Sequence, residues 1–158
     1  MNNYQDAFLF HKKGRENRDH YHKNNLPKIE GDIVTFIGST FQYYGETECY
    51  KQNKPIIGVC HGAFFINQLE EGTNVECEGH HNTEHDIIMY DKTYKVNSFH
   101  TNKITKVGKD FDVIATTVDG DVEAFKHKTK PIWGIVWHPE RMQEAILPND
   151  LERLLNAN

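Results

Sequence analysis

Two short strings hold side chains that can together split an amide. The first is Gly58-Val59-Cys60-His61-Gly62. Small residues on both sides of a nucleophile let a chain turn sharply from strand into helix, so that the nucleophile stands at the carboxyl end of a sheet. A helix amino terminus beside the sulfur favours its thiolate form. The second is Trp137-His138-Pro139-Glu140-Arg141. Pro139 pushes His138 toward an extended conformation. Residues i and i+2 of an extended chain project to the same side, which sets Glu140 beside the His138 ring. A carboxylate there orients the imidazole and favours its protonated form, and the other ring nitrogen is left for a thiol. A thiol, an imidazole and a carboxylate in these roles are the parts of acyl transfer through a thioester.

These residues need elements that bring them together. Asp32-Ile33-Val34-Thr35-Phe36-Ile37 is a β-branched run ended by Gly38, and Pro55-Ile56-Ile57-Gly58-Val59 is another, ended by the cysteine turn. Continuous apolar strands of this type suit a parallel sheet covered on both faces. Tyr43–Asn53 can supply the crossover helix between them. Ala63–Glu70 reads as a helix stopped by Gly72. Short alternating pieces then recur at Asp86–Tyr90, Tyr94–Asn97, Asp112–Val118, Asp121–Lys126 and Ile132–Trp137. Asp119-Gly120 is a two-residue hairpin signal. Leu151, Leu154 and Leu155 mark a closing helix capped by Asn149 or Asp150. The expected fold is α/β, a mostly parallel central sheet flanked by helices with antiparallel additions in the second half, in one domain over residues 1–158.

With 158 residues and 37% hydrophobic content, the chain can build one core. Lys+Arg total 18 against 23 Asp+Glu, a net charge of -5, which disfavours a broad grip on nucleic acid or anionic lipid. No apolar stretch is long enough to span a membrane, and Ala7–Phe10 is too short for a secretory signal. Three cysteines (Cys49, Cys60, Cys77) disfavour a disulfide framework, so the cytoplasm is the expected compartment.

In combination and order, Gly58-x-Cys60-x-Gly62 and His138-Pro139-Glu140 resemble the class I glutamine amidotransferases, the Cys–His–Glu glutaminases, close to their γ-glutamyl hydrolase branch. Asp32–Ser39 looks like that family's oxyanion strand and turn, and Val96–His100 like a substrate-side segment. The resemblance covers roughly residues 30–145 and implies a flavodoxin-like sheet. It makes Cys60 the nucleophile, His138 the general base and then acid, and Glu140 the orienting carboxylate. It implies oxyanion donors on the backbone of His61 and near Gly38 or Ser39, and substrate contacts at Phe64, Ser98, Phe99, His100 and Thr101. It implies no cofactor and no metal. The substrate is a γ-glutamyl compound such as glutamine, and a partner synthetase would receive the ammonia. Phe64 departs from the family's pattern, because members that use free glutamine usually carry Gln there. Residues 1–30 leave little room for the usual first strand and helix. The chain therefore reads as a reduced version of the fold, or as one whose sheet edge a partner completes.

Other readings stay open on the residues alone. One is a γ-glutamyl hydrolase acting on a larger γ-glutamyl compound. Another is a catalytically silent member of the fold used for binding. A related group with a Cys-His-Gly elbow is disfavoured by the carboxyl-terminal His138-Pro139-Glu140. His80, His81 and His85 are close in sequence, but Gly79 and Asn82-Thr83 point to a loop, and metal binding is set aside there. Trp133 and Trp137 read as core.

Overall fold

The computed structural model describes residues 34–37 and 55–157. Nine strands are described: β1 (Val34–Ile37), β2 (Ile56–Val59), β3 (Thr73–Glu76), β4 (His81–Met89), β5 (Lys92–Phe99), β6 (Asn102–Lys106), β7 (Phe111–Thr117), β8 (Val122–His127) and β9 (Ile132–Ile135). Two α-helices accompany them, α1 (His61–Leu69) and α2 (Asn149–Asn156), with a 3-10 turn at Pro139–Arg141.

The strands form one mixed sheet in the order β1-β2-β9-β8-β7-β4-β5, and β6 joins β3 to β8. Parallel pairing is confined to β1, β2 and β9. Every residue of β2 and β9 is buried, as continuous apolar strands covered on both faces should be. Helix α1 packs on both strands and buries Ala63, Phe64 and Ile66. The remaining pairs are antiparallel and alternate, as in β5, where Val96 and Ser98 are buried and Asn97 and Phe99 less so. Gly120 adopts φ +93 at the Asp119-Gly120 turn. There the Thr117 N–H donates to the Asp121 carbonyl, and the Asp121 N–H donates to the Thr117 hydroxyl.

Close approach explains two glycines. Gly58 and Gly134 are register partners on β2 and β9. A Cβ on Gly58 would fall 2.6 Å from Ile66 Cδ1 and 2.7 Å from the Gly62 carbonyl carbon, so helix and strand can touch only without it. A Cβ on Gly134 would lie 2.1 Å from the Phe125 ring. Trp137 is fully buried and donates to the Ile146 carbonyl, and Trp133 donates to Asp150.

The sequence reading differs from the fold in several places. The histidine segment read as a loop is strand β4 from His81 onward, paired with β5. Polar exposed positions hid it, since an edge strand open to solvent lacks apolar alternation. Strands β3 and β6 were missed for the same reason. The closing helix has Pro148 at its N-cap rather than Asn149 or Asp150. The expected crossover helix over Tyr43–Asn53 lies outside the described residues.

Candidate active site

The site lies where β2 and β9 end side by side. Cys60 follows β2 directly, and its N–H donates to Ile135 O at 2.7 Å, extending the parallel ladder by one bond. The chain then breaks into α1. Cys60 takes φ 54 and ψ -108, a left-handed conformation costly for a side chain with a Cβ. Gly58 and Gly62 are what permit this turn, since their backbones approach within contact of each other. The expected elbow is therefore present, and its strain sits on the one residue with a nucleophile.

Burial pushes the Cys60 thiol up to about 12. The His61 backbone N–H opposes this, while the charges of Glu140 and Glu123 add to it. The expected thiolate stabilisation by the helix terminus is thus outweighed by desolvation: the sulfur at rest is a protonated thiol, 8% exposed. Burial likewise lowers the His61 imidazole.

His138 follows β9 by the same logic. It is buried, with φ -107 and ψ 85, and leads into the 3-10 turn of Pro139–Arg141. That turn swings Glu140 back, so that Glu140 Oε1 accepts from His138 Nδ1 at 2.5 Å. The contact arises from the turn, not from the extended i, i+2 geometry that the sequence suggested. With Nδ1–H committed to the carboxylate, Nε2 is left as the proton acceptor.

Asn97 on β5 was missed as a site residue. Its Nδ2 donates to His138 O, and the His138 N–H donates to its Oδ1, both at 2.8 Å. This amide clamp holds the imidazole-bearing residue from a strand 41 positions earlier. The only sequence signal was its place inside Val96–His100. Phe99, on the same face of β5, sets its ring edge to face against His138 at 5.7 Å and carries Arg141 over its face at 4.5 Å.

The opposite face of β5 points elsewhere. Ser98 is buried and donates to the His80 carbonyl. His100 is buried, and its ring meets Phe64 at 6.1 Å. Phe64 is itself 6% exposed, one helical turn past Cys60. Thr101 is exposed. Gly38 and Ser39 lie outside the described residues.

This fold is that of the class I glutamine amidotransferases. A solved glutamine amidotransferase from Thermotoga maritima matches it with a TM-score of 0.64 at 15% identity, over 84% of this chain and 70% of that one. Residues 73–140 match the family model of Peptidase C26, and the chain carries a class I glutamine amidotransferase domain of that family. Among curated proteins it is similar to gamma-glutamyl-CDP-amidate hydrolase of Campylobacter jejuni, 36% identical over 93 residues, 59% of this chain and 46% of that protein. It is also similar to the glutamine-hydrolyzing component of GMP synthase from Methanothermobacter thermautotrophicus, 34% identical over 95 residues, 54% of this chain and 51% of that one. The matched region thus spans about half the length of these relatives. Among the described residues no helix is long and apolar enough to cross a membrane.

Proposed function

We propose that the chain is a cysteine hydrolase that cleaves a γ-glutamyl amide through a thioester on Cys60. The observation that carries this reading is the strained Cys60 elbow ending one strand, beside a neighbouring strand that ends in an imidazole bonded to a carboxylate.

The resting thiol sets the order of events. His138 Nε2 takes the thiol proton as sulfur attacks the carboxamide carbon, because a free thiolate is too costly in this buried site. Glu140 holds the resulting imidazolium through Nδ1–H. The developing oxyanion is met by the His61 N–H, with a second donor expected from the Gly38–Ser39 turn. The C–N bond breaks, the proton passes from His138 to the departing nitrogen, and the γ-glutamyl thioester remains. Water, deprotonated by His138, then releases the acid and restores the thiol.

The substrate is a γ-glutamyl compound. Phe64 supports the version in which that compound is larger than glutamine, since a buried ring next to Cys60 offers no amide to a free amino acid. The name of the Campylobacter relative, a γ-glutamyl amide hydrolase, supports the same version. In the alternative, glutamine is split and ammonia passes to a synthetase, as the names of the GMP synthase relatives suggest. The cytoplasm is the compartment in which the free thiols of Cys60 and Cys77 persist.

The test is turnover of glutamine and of γ-glutamyl-p-nitroanilide, with peptide mapping after a glutamine-mimicking chloroketone. Labelling at Cys60 and a loss of at least about 10³-fold in Cys60→Ser are expected. Retained turnover in that variant, or no turnover of any γ-glutamyl amide, refutes the reading.

A further inference from the structure

Four side chains that the hydrolytic reading does not use meet behind Phe64. His80 lies just before β4, His85 within it, His100 between β5 and β6, and Glu123 on β8. Sequence neighbours did not suggest this group, because its members come from separate segments. His100 and Glu123 are 3% and 1% exposed. His80 Nδ1, His85 Nε2, His100 Nε2 and Glu123 Oε2 are buried atoms, and none makes a hydrogen bond. Buried polar groups in native proteins are nearly always satisfied, so four unmet atoms facing one another call for a shared partner.

The tautomers say what kind. His100 Nδ1–H donates to the Asn102 carbonyl at 2.6 Å, which leaves Nε2 with a lone pair. That lone pair faces Glu123 Oε1 at 3.7 Å. The His80 ring stacks on His100 at 4.9 Å, and its backbone is pinned by Ser98. Ligand atoms of His80, His100 and Glu123 all lie within 4.8 Å of one another. An electron pair opposite a carboxylate is repulsive unless a cation stands between them. A second-shell hydrogen bond from the far ring nitrogen to a backbone carbonyl, as on His100, is the usual brace of a metal-binding imidazole.

We infer that His80 Nδ1, His100 Nε2 and the Glu123 carboxylate form a binding site for a divalent transition-metal cation of the zinc class. His85, with Nε2 3.3 Å from Glu123 Oε2, braces the carboxylate from its other side. Two imidazoles and one carboxylate suit zinc, cobalt or nickel and do not suit magnesium or calcium, which take oxygen ligands. Around zinc, with bonds of about 2.0–2.1 Å, tetrahedral ligand atoms sit about 3.4 Å apart. Ring rotations close the observed spacing to that value. None of the ligands is Cys60, His138 or Glu140, so the site stands or falls separately from the hydrolytic reading.

The experiment is equilibrium dialysis of chelator-treated full chain against Zn²⁺, with the visible spectrum of the Co²⁺ form and thermal melts with and without Zn²⁺. One equivalent per chain, four-coordinate Co²⁺ bands and a raised melting temperature are expected. His80→Ala and Glu123→Gln should each weaken uptake at least about tenfold and abolish the thermal shift. Cys60→Ser and the exposed neighbour variant His81→Ala should bind as the parent does. His80 is half-buried outside the sheet, so H80A decides the matter even where E123Q unfolds the chain. No stoichiometric uptake, uptake that survives H80A, or uptake lost in C60S overturns the proposal.

Discussion

Replacing Asn97 by alanine tests how the imidazole is held. The side chain makes two bonds of 2.8 Å to the backbone of one residue, His138, which is 4% exposed. Each bond contributes about 1 kcal/mol net, and a buried N–H or C=O left unmet costs about 1–3 kcal/mol. Water will reach part of the gap, so a loss of roughly 2–4 kcal/mol is expected. In a chain of this size that corresponds to a fall in Tm of about 5–15 °C. The kinetic effect comes through geometry. Freed from its clamp, the segment from His138 to Glu140 can drift by about 1 Å, which lowers kcat on the order of 10²-fold while KM changes little. Asn97→Asp separates the two bonds: the acceptor for the His138 N–H remains, and the donor becomes a carboxylate oxygen facing the His138 carbonyl. It should melt below the parent as well. The assay is kcat and KM on a γ-glutamyl-p-nitroanilide, with thermal melts of all three proteins. An alanine variant with the parent's Tm and kcat would show that the clamp holds nothing.

Two further outcomes bear on the scaffold. Gly134→Ala drives a methyl to within 2.1 Å of the Phe125 ring and should destabilise by about 1–3 kcal/mol or more in denaturant unfolding. Adding Phe125→Leu should recover part of that loss, and strictly additive losses would reject the contact. Asp150→Asn addresses pH. Burial works to raise the Asp150 carboxyl, but Lys126 at 2.6 Å, the Trp133 indole N–H and the Leu151 N–H outweigh it and hold it below the usual carboxylate range. A carboxyl with a depressed folded value adds stability above its unfolded value and loses it as pH falls through the folded one. The Tm gap between parent and D150N should therefore be full near neutrality and close on acidification. A gap independent of pH would refute this coupling.

The sequence by itself determined whatever depends on neighbouring residues. Gly58, Gly62 and Cys60 specify an elbow, because only missing Cβ atoms let strand and helix backbones come so close. Asp119-Gly120 specifies a hairpin, and the unbroken apolar runs of β2 and β9 specify buried strands. His138 and Glu140 were legible as a pair, although a 3-10 turn rather than an extended chain joins them. Only the tertiary structure decided what depends on register. Alternation along β5 sends Asn97 and Phe99 to His138 and turns Ser98 and His100 the other way, so one five-residue string serves two places. Whether His100 meets Glu123 rests on which strands pair and where they slide. A one-residue shift would have faced each of these side chains away, and no local preference encodes that choice.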